Sequence, residues 1–446
     1  MPILNQNFLK HTVRPFQLTE GLGNIAEQGE PSMAAVERKC RFCANTLRVS
    51  VADLGMSPVS NNNIKPEKLS AMEPFYPLHV YVCEKCWLVQ LAQFQAADEI
   101  FNDDYAYFSS YSESWLDHAR QYSLRVIERF SINQDSQVVE IASNDGYLLK
   151  NFNEKGIRSL GVEPCANVAQ AAEEIGIPSL IKFFGVKTAE QMVHDGIRAD
   201  LLIGNNVLAH VPDLNDFVKG MKILLSPEGV ITMEFPHLKK LIEFNQFDTI
   251  YHEHFSYFSL VTVEKVFAAF GLVIFDVEEI PTHGGSLRIY ARHDSDTSKP
   301  ILEAVENLRN QEIKAGFKDA AVYNRFSEQV KETKRKLLSF LIETKRLGKT
   351  VVGYGAPAKG NTLLNYCGVR HDFVDYTVDL SPHKQGLFLP GTHVPIFSPE
   401  KINETRPDYV LILPWNLKDE IMKQMAHIRE WGGQFVVPIP ELQVYE

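Results

Sequence analysis

The sequence predicts an α/β chain in three parts: an N-terminal four-cysteine zinc-binding module, a central doubly wound sheet, and a smaller Rossmann-like α/β domain. Three observations carry this. Four of the six cysteines form two CxxC hooks. Strands and helices alternate from Val138 to about His293, closing on two strands with no helix between them. A second strand–glycine–helix unit begins at Thr350.

The hooks are Cys40-Arg41-Phe42-Cys43 and Cys83-Glu84-Lys85-Cys86. Four thiolates suit tetrahedral zinc, and a fully occupied shell is the structural kind, with no open position for water. The spacing exceeds that of a compact zinc ribbon, so the segment between the hooks forms a small sheet or a loop excursion. Residues 78–82 and 87–91 read as short strands. Disulfides are disfavoured in a reducing compartment, and a redox CxxC does not normally come in twos. Cys165 and Cys367 read as buried or incidental. Residues 1–35 are polar and aperiodic, a loose extension; the zinc module then spans 36–104. Tyr105 to Tyr111 leads into a helix beginning near Ser112 that contains Trp115 and His118.

In the central domain, 105–298, a strand at 138–141 carries Glu140 near its end. The loop Ala142-Ser143-Asn144-Asp145-Gly146 enters a helix, and a strand at 159–162 runs into Glu163-Pro164. An acid ending the second strand suits the hydroxyls of a ribose. The first acid and the missing GxGxxG disfavour a pyrophosphate against the backbone. A cationic, amino-acid-bearing nucleoside such as S-adenosylmethionine (SAM) fits better; an ordinary strand–turn–helix is the alternative. Further strands are expected at 201–204, 229–234, 272–278 and 286–291. The last two predict an antiparallel hairpin at the sheet edge, typical of SAM-dependent methyltransferases and unlike a nicotinamide Rossmann fold.

Asn205-Asn206 ends a strand where the crevice opens and either lines it or caps the next helix. His210 lies near the mouth or on the surface. Tyr251-His252-Glu253-His254 is the densest group of ionisable side chains and invites acid–base chemistry. It lacks the i, i+4 spacing of a zinc hydrolase. In an extended segment Tyr251 and Glu253 share one side and His252 and His254 the other; a turn would mix them. In His283-Gly284-Gly285-Ser286-Leu287-Arg288, the glycines either admit a ligand or make a hairpin turn, and Arg288 can hold a diphosphate or an acid.

Residues 299–348 read as two bridging helices and 349–446 as the last domain, with strands at 373–378, 409–413 and 434–437. Its Gly353-x-Gly355-x-x-Ala358 approximates a dinucleotide fingerprint, with Asp375 or Asp379 at the ribose-acid position. Pro357 and Lys359 depart from that pattern, leaving a phosphate-facing loop for part of a substrate, a scaffold, or a second nicotinamide cofactor.

At 446 residues, 45% hydrophobic and 11% aromatic, the composition is globular. A formal charge of −11 argues against nucleic acid, which is bound through phosphate-neutralising Lys and Arg. No run approaches the ~18 apolar residues of a membrane span, and the first residues lack the pattern of a signal peptide. A cytoplasmic location is the expectation; oligomeric state is not legible.

Together the hooks, Glu-Ile-Ala-Ser-Asn-Asp-Gly, Gly-Val-Glu-Pro, Tyr-His-Glu-His-Phe, His-Gly-Gly-Ser-Leu-Arg and Gly-Tyr-Gly-Ala-Pro-Ala-Lys-Gly-Asn-Thr resemble the three-domain nucleotide-sugar C-methyltransferases of deoxysugar pathways. The resemblance runs from Cys40 to the C-terminus. It implies structural zinc on Cys40, Cys43, Cys83 and Cys86. It implies SAM against Glu140, Ala142, Ser143, Asn144, Gly146, Glu163, Pro164, Asn205 and Asn206. A dTDP- or GDP-linked 4-keto-6-deoxyhexose is implied near His283, Gly284, Arg288, Gly355, Lys359 and Asn361. Methylation at C-3 is implied, with catalytic groups at Tyr251, Glu253 and His254 and with His210 and Tyr105 as pocket walls. Of the three, His254 reads as the base, because its ordinary pKa lies near neutral pH, with Tyr251 donating to the enolate oxygen and Glu253 orienting the pair. The reversed pair, a tyrosinate base with histidine as donor, stays open. Two other readings compete: a nicotinamide-dependent sugar-nucleotide oxidoreductase or epimerase, and a non-catalytic zinc-ribbon binding protein.

Overall fold

A computed structural model describes residues 38–94, 109–111 and 113–446. The 1–35 extension and Tyr105 lie outside the described residues. Each cysteine hook closes as a tight turn, with Ala44 N–H donating to the Cys40 carbonyl (2.9 Å) and Trp87 N–H to that of Cys83 (2.7 Å). Ala44 (φ 56°) and Trp87 (φ 69°) leave these turns in the left-handed conformation. For that reason the second strand expected here starts at Val89 instead of Trp87. β1 (Val49–Ser57), β2 (Tyr76–Val82) and β3 (Val89–Leu91) form an antiparallel sheet, and residues 58–75 between β1 and β2 supply the excursion. The sheet's fourth strand, β9 (Ser256–Tyr257), comes from the segment after His254 and pairs with β3.

The central sheet comprises β4 (Gln137–Ile141), β5 (Arg158–Val162), β6 (Ser179–Leu180), β7 (Ala199–Asn205), β8 (Leu225–Pro236), β10 (Leu272–Ile280) and β11 (Ser286–His293). Its order is β10-β11-β8-β7-β4-β5-β6. β4 to β8 are parallel, whereas β10 and β11 form the expected antiparallel hairpin at the edge. β8 is longer than its apolar run because it pairs with β7 on one side and β11 on the other, which carries Glu234 into the crevice region. β6, two residues long, had no sequence signal.

The helices Glu303–Lys314 and Ala320–Arg346 bridge to the last domain; the second is capped by Asp319, whose carboxylate accepts from Ala321 N–H (2.9 Å). There β12 (Val351–Tyr354), β13 (Thr377–Val378), β14 (Ile396–Phe397), β15 (Tyr409–Ile412), β16 (Gln434–Val437) and β17 (Gln443–Tyr445) make one sheet, ordered β14-β13-β12-β15-β16-β17. The strand expected over 373–378 shrinks to β13 because Phe373 and Val374 N–H both turn back to the Arg370 carbonyl.

The zinc module shares its core with both neighbours. Leu78 and Val80 of β2 pack in one apolar cluster with Phe326 and Leu337 of the long helix and Val352 and Leu411 of the last sheet. Cys40, Cys83, Cys86 and Leu88 join a second cluster with Ile141, Leu202 and Phe235 of the central sheet. Each fully buried aliphatic side chain contributes roughly 1.5–3 kcal/mol, so the module is a wedge that fixes the other two parts.

Candidate active site

The carboxyl ends of β4, β5, β7 and β8 form one edge of the central sheet. After β4 the chain turns through Ala142 (φ 56°), Asn144 (φ 52°) and Gly146 (φ 75°). Left-handed non-glycine residues cost energy and concentrate where function requires them; Asn206 (φ 54°) and His283 (φ 56°) add two more at this edge. A Cβ at Gly146 would sit tightly against Ile177 and Ala172, at 3.0 and 3.2 Å. The buried Glu163 accepts backbone N–H groups from Asn144 and Cys165, both at 3.0 Å, which fixes its carboxylate at the loop; half-buried Pro164 follows it.

Asp145 and Glu163 stand close enough to Glu140 to oppose its ionisation. Burial and then these neighbours raise Glu140 well above the ordinary carboxylate value; burial also raises Glu163, against its amide donors. Glu140 Oε2, Ser143 Oγ, Asp145 Oδ1, both polar atoms of Asn205 and Asn206 Oδ1 are buried with no hydrogen-bond partner among the described residues. Such orphaned groups are costly without a ligand. A crevice rich in carboxylates and unmet acceptors fits a cationic nucleoside better than an anionic one. Neither Asn205 nor Asn206 caps the following helix: Asp213 does, accepting from Asp216 N–H at 3.0 Å.

The Tyr251–His254 segment is a turn, with His254 N–H donating to the Tyr251 carbonyl (2.9 Å). The alternation expected of an extended chain therefore fails. Tyr251 and His254 lie together, ring centroids 4.0 Å apart, and His210 meets His254 at 4.7 Å. His252 points elsewhere, edge-on to Tyr76 and Phe94 of the zinc module. Phe255 N–H donates to the Ala209 carbonyl (2.8 Å), pinning the His210 turn to this segment. The His254 Nδ1 lies 2.9 Å from the Thr249 carbonyl, which only accepts, so Nδ1 carries the proton and Nε2 the lone pair. Burial, then His210, holds His254 well below its ordinary value, with the Thr249 carbonyl opposing. Burial lowers His210 to about 4. Glu253 accepts from the Asn61 side-chain amide at 2.7 Å; burial pushes its carboxyl up to about 6 despite that donor.

The last domain faces this turn. Lys359 donates to Asn416 (2.7 Å), covers the Trp415 ring at 4.6 Å, and its charge reaches both His254 and His283. Trp415 Nε1–H donates to Asp248 (2.8 Å), which burial pushes up to about 7 against the Lys359 charge. His283 lies edge-on to Trp115 at 5.0 Å, and Trp115 stacks on His118 at 4.9 Å. Sequence reasoning put Trp115 and His118 in a helix without a role and missed Asp248, Glu234 and Asn61.

Three residues that the resemblance places at the substrate are engaged within the chain. Arg288 is fully buried and bound to Glu234 at 2.6 Å and Glu278 at 3.0 Å; of the diphosphate and the acid that its position allowed, it holds acids. Asn361 is buried and donates to the Ser60 carbonyl (2.6 Å), so it ties the last domain to the zinc module. Gly284 (φ +91°) makes the hairpin turn and packs against Trp415, leaving no gap for a ligand at its α-carbon. In the glycine loop, Gly355 packs on Pro414. Asp379 there accepts from Ala356 N–H (2.8 Å) and is committed to the loop itself, while Asp375 pairs with Lys345 (2.9 Å).

The four hook sulfurs lie within 4.8 Å of one another, with Cys40–Cys86 and Cys43–Cys83 both at 3.5 Å. Sulfurs bound at ~2.3 Å around tetrahedral zinc stand about 3.8 Å apart, so these residues fit the ion and leave no position for water. Cys40→Ser is expected to lower zinc content and thermal midpoint together, checked by elemental analysis and melting. Full stability with lost turnover would contradict a structural metal.

Three family models match successive stretches: "Putative zinc binding domain" over residues 40–101, "Methyltransferase domain" over 115–277 and "C-methyltransferase C-terminal domain" over 281–440. The C-methyltransferase NovU of Streptomyces niveus is 36% identical over 409 residues, spanning 91% of this chain and 96% of that protein. Two solved structures show partial likeness. The PH0226 protein of Pyrococcus horikoshii is 13% identical, covering 42% of this chain and 94% of its own, at a TM-score of 0.34. Magnesium protoporphyrin IX methyltransferase of Synechocystis with bound SAM is 14% identical, covering 44% and 88%, at 0.31. With its cysteine cluster, its methyltransferase sheet and its matching C-terminal domain, the chain belongs to the SAM-dependent C-methyltransferase family.

Proposed function

We propose that this enzyme methylates C-3 of a nucleotide-linked 4-keto-6-deoxy sugar, dTDP-linked in the first instance and GDP-linked as the alternative. The observation that carries the reading is the His254 tautomer, with Nδ1–H committed to Thr249 and Nε2 free to accept a proton. A C-3 proton is acidic because the C-4 carbonyl can take the charge as an enolate. His254 Nε2 removes that proton, and Tyr251, its ring tilted against that of His254, donates to the enolate oxygen. SAM, held at the carboxylate-rich crevice, would supply an electrophilic methyl group for the C-3 carbon, its S–CH3 bond breaking as the sulfonium leaves as a neutral thioether.

An ordinary histidine titrates near neutral pH, which is the reason to expect a base here. Burial and His210 remove that reason. What supports the role instead is that His254 stays neutral and available at neutral pH. Once it is protonated, the new imidazolium faces the enolate it has made, an attraction strengthened in a dry site. Lys359 adds positive potential on the same side. Glu253 acts through the turn, since its carboxylate is bound to Asn61 and makes no hydrogen bond to His254 in the described residues.

Mass spectrometry of reactions with SAM and a panel of keto-sugar nucleotides tests the substrate. Methylation of 4-keto-6-deoxyhexoses and not of their 4-hydroxy counterparts is expected; equal methylation of both removes the enolate. In the cofactor crevice, Glu163→Gln is expected to weaken SAM binding roughly tenfold or more, because a hydrogen bond to a charged acceptor contributes about 1.5–3 kcal/mol. Calorimetry measures it, and unchanged affinity would take Glu163 out of the site.

A further inference from the structure

One side chain of the zinc module reaches into the catalytic turn itself. Asn61, in the loop after β1, donates its side-chain amide to Glu253 Oε1 at 2.7 Å, across 192 residues of sequence. Glu253 is otherwise buried, lies between Tyr251 and His254 in the catalytic turn, and its backbone hydrogen-bonds His210. Asn61 itself is exposed, so its amide reaches inward from a rim.

That loop is held in place by the last domain. Two adjacent residues of the helix Ala358–Cys367 grip the two strips of chain that meet at the turn. Asn361 Nδ2 donates to the Ser60 carbonyl (2.6 Å), next to Asn61. Thr362 Oγ1 donates to the Ile250 carbonyl (3.0 Å), next to Tyr251, and lies 3.4 Å from Ser60 Oγ. The same helix begins at the glycine loop and carries Lys359. One rigid element therefore sets the entry to the turn and the arm that holds Glu253.

We infer that Asn61 is a positioning residue for methyl transfer, holding the Glu253 carboxylate so that the Tyr251–His254 turn keeps its reactive geometry, with Asn361 and Thr362 as the clamp that seats it. The inference rests on the reading of that turn as the reaction centre. It gives the cysteine module a task beyond scaffolding, because zinc fixes the sheet from which the Asn61 loop springs.

Asn61 is exposed, so its variants are expected to fold. Asn61→Ala is expected to lower kcat roughly 10–100-fold, the scale of a small misplacement near the chemistry, with SAM affinity, zinc content and melting temperature unchanged. Asn61→Asp keeps the shape, loses the donor and adds a like charge, and is expected to lose more. Burial raises the Glu253 carboxyl and the Asn61 amide, bonded at 2.7 Å, lowers it, so removing the donor moves its titration upward. Carbon-13 NMR of the full chain labelled at glutamate carboxyl groups follows this, the signal being assigned with Glu253→Gln. Wild-type kcat in both variants, a stationary Glu253 titration, or a loss of rate that follows zinc content would each overturn the inference. If the unaltered enzyme methylates no sugar nucleotide, the substrate reading fails by itself, and the Glu253 titration still decides whether Asn61 holds it.

Discussion

Replacing His254 with asparagine is expected to reduce methyl transfer by roughly 10²–10⁴-fold, the usual contribution of a positioned general base. Asparagine retains an N–H able to meet the Thr249 carbonyl, so the turn keeps its local bond while the basic nitrogen is gone. SAM affinity should stay at the unaltered value, because the crevice built on Glu140, Ser143 and Glu163 belongs to other strands. The measurement is kcat alongside calorimetry with SAM. Full turnover would remove His254 from the mechanism and leave Tyr251 as the base to test. Loss of SAM binding in step with turnover would mean a collapsed site.

Arg288→Met is expected to cost about 3–5 kcal/mol of folding stability, the penalty for leaving a buried charge without its partner. Arg288 is completely buried, bonded to Glu234 at 2.6 Å and stacked 4.5 Å over Tyr122. Burial alone would push Glu234 up. The His118 hydrogen bond and the Arg288 charge more than offset it and hold the carboxyl at about 2. A carboxyl lowered in this way stabilises the fold at pH above its unfolded value of about 4.5, and the contribution is lost as pH falls toward 2. The gap between Arg288→Met and the unaltered protein should therefore narrow in denaturant melts as pH drops below 4.5. Adding Glu234→Gln should recover part of the loss. An Arg288→Met protein of full stability but with a raised KM for the sugar nucleotide would instead restore Arg288 as a diphosphate ligand.

What the sequence made legible depended on local signals. The acid-tipped strands, the cysteine spacing and the two edge strands without a helix between them are patterns within a few residues. They located the central sheet, its hairpin edge and the metal cluster. The turn at Tyr251 was not readable, since four polar residues in a row carry neither a strand nor a helix period. Arg288 was ambiguous for a different reason. Its partner Glu234 is 54 residues away on a neighbouring strand, and an arginine beside paired glycines looks the same from the chain whether it meets a phosphate or a carboxylate. The family resemblance implies substrate near Asn361, the asparagine of its Gly-Tyr-Gly-Ala-Pro-Ala-Lys-Gly-Asn-Thr motif. The Asn361 bond to Ser60 spans 301 residues and exists only because the zinc module is wedged against the last domain. Asp248 and Asn61 were missed likewise, each defined by a partner from another part of the chain.

The most direct measurement uses SAM carrying a carbon-13 methyl group with a uniformly carbon-13-labelled 4-keto-6-deoxyhexose nucleotide, followed by NMR of the product. If His254 generates a carbon nucleophile, the new methyl signal will be split by the ring carbon adjacent to the carbonyl. A methyl resonance without that one-bond coupling, at the shift of a methoxy group, would mean transfer to oxygen and would contradict carbon methylation through an enolate.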